Sequence, residues 1–234
     1  LNYTEDAMLK LTRKFKPMFR SYTTVIDIET TGLDINKNGI INISFVTINP
    51  QSWTKPVFDF TCYDIMYGVL FTDPNELGRV SSPRTMEFHN DLPEHVKKLN
   101  FPSDKLQPWN VTADVISLLL AELDDKAERS GLPHYLMGNG PDFDQAFIAS
   151  YFKQLGKTQP WKHWQNVDFR TLVAVLPVPE EIWEELKKKA SELLFGFMPE
   201  IDKSLDYSHF AGFDTLLEAL GAVWVVQQLN GGSL

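Results

Sequence analysis

The chain has 234 residues, 43% hydrophobic and 23% charged, with a formal net charge of −9, an ordinary balance for a globular chain with enough core for one domain. Its single cysteine, Cys62, excludes an intrachain disulfide framework and any cysteine zinc cluster, so a reducing, cytoplasmic setting is expected. No apolar run approaches the roughly 20 residues needed to span a bilayer, no secretory signal opens the chain, and no membrane partner is expected.

The charge is unevenly spread. Residues 1–20 hold Lys10, Arg13, Lys14, Lys16 and Arg20 against Glu5 and Asp6, a balance of +3 that leaves −12 for the rest. A basic amphipathic helix is predicted over 5–16, with Leu9 and Leu11 flanked by charges and Pro17 ending it. We treat 1–20 as a basic extension and 21–230 as a single domain with insertions near 64–110 and 179–205. The terminal Gly231-Gly232-Ser233-Leu234 reads as linker.

The first strand is expected over 22–29. Asn38-Gly39 marks a turn into a second strand over 40–48, and alternation from Pro56 to Tyr63 predicts a third. Three strands joined by short turns suggest an antiparallel meander. Loops around small helices are expected over 68–109, with helix starts at Ser82-Pro83 and Pro93-Glu94. A helix follows over 111–129, where Val115, Leu118, Leu119 and Glu122 mark the faces and Gly131-Leu132-Pro133 stops it. His134–Met137 reads as a buried parallel strand, and 144–155 as a helix burying Phe147, Ile148, Tyr151, Phe152 and Leu155. A short strand near Val167, a helix over 171–176, a helix opened by Pro179-Glu180-Glu181 and a last helix over 212–229 complete the chain. Strands first, then alternating helix and strand, give an α/β/α sandwich around a mixed sheet.

Chemistry gathers at three places. In Val25-Ile26-Asp27-Ile28-Glu29-Thr30-Thr31-Gly32-Leu33, Asp27 and Glu29 are two apart and share one face of a strand. Two neighbouring acids removed from water call for a cation between them, and oxygen ligands suit Mg²⁺ or Mn²⁺. An edge strand with two solvated acids is the alternative. The second place is Gly138-Asn139-Gly140-Pro141-Asp142-Phe143-Asp144, at the end of a strand, where open α/β sheets collect ligand sites. Asp144 there also serves as an ordinary helix-start acid. The third is Tyr207 to Asp214, where His209 in a loop and Asp214 in a first helical turn can face one site, although a lone histidine is more often a surface or core residue.

The order D-x-E-T-T-G, N-x-x-x-F-D and H-x-x-x-x-D resembles the DEDDh 3′–5′ exonucleases of the ribonuclease H-like fold. Ser82–His89 with Pro93–Val96, and Pro160–Trp164 with Asp168–Leu172, are similar to segments of phage exonuclease A and its bacterial relatives. The likeness runs over about 22–225. It departs from the family pattern at Phe88-His89, where tandem tryptophans stand, and at Val167, where an arginine does. No counterpart is placed for 1–20 or 179–205.

The resemblance implies a ribonuclease H-like α/β/α sandwich with a mixed five-stranded sheet and two divalent cations, Mg²⁺ or Mn²⁺. Asp27 would bridge the ions, Glu29 and Asp214 would complete one site, Asp144 would hold the second ion, and His209 would be the general base. Thr30, Gly32, Leu33, Asn139 and Phe143 would shape the pocket for the terminal nucleotide. The expected activity is 3′–5′ hydrolysis of single-stranded DNA to nucleoside monophosphates, with DNA favoured over RNA as partner. An exoribonuclease of the same family, a catalytically silent nucleic-acid-binding module and a metal-dependent phosphatase are the alternatives.

Overall fold

The computed structural model describes residues 18–140 and 142–231; the helix expected over 5–16 lies outside them. A six-stranded sheet has the order β4-β3-β2-β1-β5-β6. Its members are β1 (Tyr22–Thr30), β2 (Ile40–Ile48), β3 (Ile65–Thr72), β4 (Leu106–Gln107), β5 (His134–Gly138) and β6 (Asn166–Asp168). The β1–β2 and β2–β3 pairs are antiparallel, and β3–β4, β1–β5 and β5–β6 are parallel. The sheet is mixed, as expected, with six strands rather than five, the two-residue β4 being the strand that carries no sequence pattern.

The third strand lies further along than expected. Residues 56–63 alternate like a strand yet form a tight turn, Val57–Asp59, followed by a loop closed by Asp64. That carboxylate accepts from the amide and hydroxyl of Thr61, both at 2.7 Å, and pairs with Lys55. Local side-chain acceptors of this kind outcompete a ladder. The meander is nonetheless antiparallel.

Seven helices of the described residues cover the sheet: α1 (Pro83–Asp91), α2 (Glu94–Asn100), α3 (Trp109–Ser130), α4 (Asp144–Gln154), α5 (Phe169–Val175), α6 (Glu180–Phe197) and α7 (Ala211–Leu229). On one sheet face Val25 and Val46 pack against α5, α6 and α7 through Phe169, Leu186, Leu193, Leu216, Leu220 and Val223. On the other, Ile26, Ile28, Ile43 and Phe45 pack against α3 and α4 through Ile116, Leu120, Phe147 and Tyr151. These are the two apolar layers of an α/β/α sandwich. On α3 the buried stripe is Thr112, Ala113, Ile116, Leu120, Leu123 and Ala127. Val115 and Leu118 are exposed instead, so the buried face is rotated from the one their spacing suggested. Gly131, at φ 64, ends α3 in the left-handed cap position that glycine takes without steric cost. Among the described residues no helix is long and apolar enough to cross a membrane.

Two features place the site. First, β1 is internal, between β2 and β5, so Asp27 and Glu29 are not on an edge. Second, the β1–β5 ladder runs only from Tyr22↔His134 to Val25↔Met137. Past Val25 the two strands separate, opening a crevice at their carboxyl ends.

Candidate active site

Asp27 and Glu29 alternate with Ile26 and Ile28, so their carboxylates project on the α7 side of the sheet. Asp214 stands in the first turn of α7. One carboxylate oxygen from each of Asp27, Glu29 and Asp214 lies within 4.8 Å of the others. Asp144, the first residue of α4, is buried; the backbone amides of Asp144 itself, Ile28 and Asn139 face its carboxylate. Four acids from three parts of the chain thus converge where β1 and β5 part.

Burial and mutual repulsion act in the same direction on this group. Asp27 is pushed well above the usual carboxylate range by desolvation, then by Glu218, Asp144, Asp214 and Glu29. Glu29 is raised by desolvation and by Asp214 and Asp144. Desolvation lifts Asp144 to about 7, against the facing amides and Arg170. Asp214 is likewise raised to about 7, chiefly by desolvation. Among the described residues Arg170 is a cation that favours the ionised form of Asp144 and of the neighbouring Glu218. An all-oxygen donor set short of positive charge fits a hard divalent ion such as Mg²⁺ or Mn²⁺ and suits zinc or copper less well.

His209 sits in the loop before α7, exposed, with a left-handed φ of 68°. Three contacts hold this uncommon backbone. Its N–H donates to Asp214 Oδ2 at 2.9 Å. Its carbonyl accepts from Asn100 Nδ2 at 2.7 Å, and Asn100 Oδ1 in turn accepts from Asn42 Nδ2 at 3.0 Å. The ring meets Phe88 edge-on, with centroids 5.2 Å apart. Asn42 is the residue paired with Glu29 across the β1–β2 ladder, so a chain of amides runs from beneath the acids to the imidazole loop.

Beside the acids lies a cleft of ≈ 700 Å³ lined by Glu29, Thr30, Leu33, Arg84, Phe88 and Phe143, among others. Leu33 projects into solvent at 78% exposure. Of the residues expected to shape a nucleotide pocket, Thr30, Leu33 and Phe143 line this cleft. Gly32 does not: it is buried, its carbonyl accepts from Thr30 Oγ1 at 2.8 Å, and a Cβ there would strike Asn38. Asn139 also lies outside the cleft lining, and its carbonyl and Oδ1 accept from Arg170 Nε at 2.8 and 3.2 Å.

Three residues missed in the sequence belong to this neighbourhood. Glu218 stands one helical turn beyond Asp214, buried, and is the carboxylate that raises Asp27 most; i,i+4 spacing from Asp214 was the available signal. His89 is buried beneath the cleft and donates Nε2–H to the Thr30 carbonyl at 2.8 Å. Burial depresses its pKa, against the bond to Thr30, and so favours the neutral ring. Asn100 is the third, and nothing in its sequence context marks it. The Asp168-Phe169-Arg170-Thr171 segment has a structural role as well: Asp168 caps α5 by accepting from the amides of Arg170 and Thr171 at 3.1 and 3.2 Å.

A family model described as 3′-5′ exoribonuclease Rv2179c-like domain matches residues 23–192, a span that includes Asp27, Glu29 and Asp144. No curated protein matches the chain. Among solved structures, the zinc-bound E. coli ExoI–ssDNA complex superposes with a TM-score of 0.52 at 15% identity, covering 89% of this chain and 41% of that one. An ExoI/SSB-Ct complex gives 0.51 at 13% identity, with 91% and 42% covered. E. coli Exonuclease I with a dT13 oligonucleotide gives 0.50 at 12%, with 89% and 42% covered. This chain therefore spans about two fifths of the length of those proteins, and at these identities the likeness is one of fold.

Proposed function

Because the chain belongs to the Rv2179c-like 3′-5′ exoribonuclease domain family, we propose that it is a divalent-cation-dependent 3′–5′ exonuclease acting on single-stranded nucleic acid. The observation that carries this reading is the convergence of Asp27, Glu29 and Asp214 within 4.8 Å at the mouth of a nucleotide-sized cleft.

In this reading Asp27, Glu29 and Asp214 would hold one cation, and Asp144 with Asp27 would hold a second. When bound, such ions supply an acidified water and neutralise the charge that builds on a phosphate under attack. The chain's own residues do the rest. The cleft takes the 3′-terminal nucleotide, with Leu33 and Phe143 offering apolar surface to its base and Arg84 a cation at the rim. His209 accepts a proton from the attacking water at an imidazole nitrogen, a position fixed by Phe88 and by the Asn100 and Asp214 contacts to its backbone. The water oxygen bonds to phosphorus as the bond from phosphorus to the upstream 3′ oxygen breaks; that oxygen takes a proton from solvent to become the new 3′-hydroxyl, and a nucleoside 5′-monophosphate is released. Asp144 is buried and Asp27, Glu29 and Asp214 are half-buried, which limits the screening of these charges by bulk water.

Two substrates compete. The DNA expected from the sequence is supported by fold neighbours solved with ssDNA or dT13. RNA is supported by the description of the family whose model covers most of this chain, a closer relation than a fold shared at 12–15% identity. We therefore favour RNA, with single-stranded DNA as the second reading. The test is a pair of 5′-labelled oligonucleotides, RNA beside DNA, incubated with Mg²⁺ or Mn²⁺. A ladder shortening from the 3′ end, abolished by chelator, is expected and should be faster on RNA. Internal cuts, or cleavage that survives the chelator, would overturn the proposal.

A further inference from the structure

Glu218 is out of place for a helix core. Its neighbours on α7, Ala219, Leu220, Ala222 and Val223, are packed apolar residues, yet the glutamate is only 6% exposed. Its Oε2 has no hydrogen-bond partner among the described residues. A buried carboxylate without a partner is destabilising, by amounts that proteins rarely tolerate without a counterpart. A leucine there would serve the packing better.

The surroundings explain the choice. Four residues along a helix advance by ~400°, so Glu218 stands ~40° round from Asp214 and one turn further along α7. Burial, then Asp144 and Asp214, push its carboxyl well above the usual range, and after burial it is the first of the carboxylates that raise Asp27. On its other flank the Asn139 side-chain amide and Arg170 favour its ionised form. Arg170 also donates to the Asn139 carbonyl and Oδ1, and its guanidinium occupies the space that a Cβ on Gly140 would need. The pair Arg170–Asn139 thus opposes, without overcoming, the effect of burial on Glu218, while Oε2 is left without a donor among the described residues.

We propose that Glu218 is a fifth carboxylate of the cation centre, its unpartnered Oε2 an oxygen donor to a divalent ion bound there. The assignment rests on the exonuclease reading above. It adds one protein oxygen to the donor set, and it gives Asn139 a bracing role in place of direct substrate contact.

The experiment is calorimetric titration of Mn²⁺ into the chelator-treated full chain, in the absence of nucleic acid, with the thermal midpoint measured before and after. The wild type should show two sites. Glu218→Gln keeps the size and an acceptor for Asn139 but loses the charge. It should bind one ion as the wild type does, lose about tenfold or more in affinity for the other, and melt higher than the wild type when metal-free. Glu218→Asp retains the charge but retracts it by one methylene, and should also weaken the second site without raising the metal-free midpoint. Two unchanged Mn²⁺ sites in either folded variant would overturn the assignment while leaving the exonuclease reading intact. A wild type that binds no Mn²⁺ would overturn both together.

Discussion

The backbone amide of His209 is bonded to the carboxylate of Asp214 across five residues, at 2.9 Å. The loop carrying the imidazole and the helix carrying an acid of the centre are therefore one mechanical unit. Asp214→Asn retains an oxygen acceptor for that amide, whereas Asp214→Ala does not. Both variants should lose strand cleavage to below detection for want of the charge. Only Asp214→Ala should speed hydrogen exchange at the His209 amide. Equal exchange in the two variants would show that other contacts hold the loop.

Four carboxylates, Glu218, Asp144, Asp214 and Glu29, add to the effect of burial on Asp27. Asp27→Asn should abolish cleavage and at the same time raise the thermal midpoint of the metal-free protein, by ~2–4 °C for each kcal/mol of repulsion relieved in a domain of this size. Divalent cation should then add less to the midpoint of the variant than to that of the wild type. Retained turnover in the purified variant would remove Asp27 from the chemistry.

His209 combines a left-handed backbone with an exposed ring. Asparagine tolerates that conformation better than most residues, so His209→Asn should keep the loop while deleting the base. A loss of about 10²–10⁴-fold in the rate of the chemical step is expected, with Mn²⁺ affinity unchanged. Loss of Mn²⁺ binding instead would make the histidine a ligand.

The acidic centre also sets the pH response of the metal-free protein. Asp144 and Asp214 are each raised to about 7, against ~3.9 for an aspartate in the unfolded chain. Between those limits the folded state binds more protons than the unfolded state, so stability falls as pH rises from ~4 to ~7 and levels off above. In chelator, the melting midpoint should drop between pH 5 and pH 8, and Mn²⁺ at pH 8 should restore it. A midpoint that climbs over this range would contradict the burial of these acids.

The motif acids and the first hairpin were legible because their signals are local. Alternation from Val25 to Glu29 and the Asn38-Gly39 turn state both the strand and its faces. The third strand was misplaced since Val57, Asp59 and Thr61 alternate with apolar neighbours by composition alone, while Asp64 gathers the Thr61 amide and hydroxyl into a turn. The real strand, Ile65–Thr72, contains Gly68 and mixes its faces, which hides its period. Glu218 was hidden for another reason. Its spacing from Asp214 was readable, but a glutamate on a long helix is ordinarily solvated, and only the packing of α7 over β1 buries it. Asn100 acts through a contact 109 residues distant in the chain, which no periodicity reports.

The single strand β1 serves two masters. Its odd-numbered side chains supply the acids, and its even-numbered ones, Ile26 and Ile28, fill the layer beneath α3 and α4. Inserting or deleting one residue between Thr23 and Asp27 would exchange the two sets, sending carboxylates into the aromatic layer around Phe147 and Tyr151 and isoleucines toward α7. Length variation in this strand is therefore strongly disfavoured, whereas the exposed turn residues Asp34, Asn36 and Lys37 at its far end lie outside the ladder. Family members that differ in length near the acids should carry the difference in that turn, after Gly32, and not within the strand.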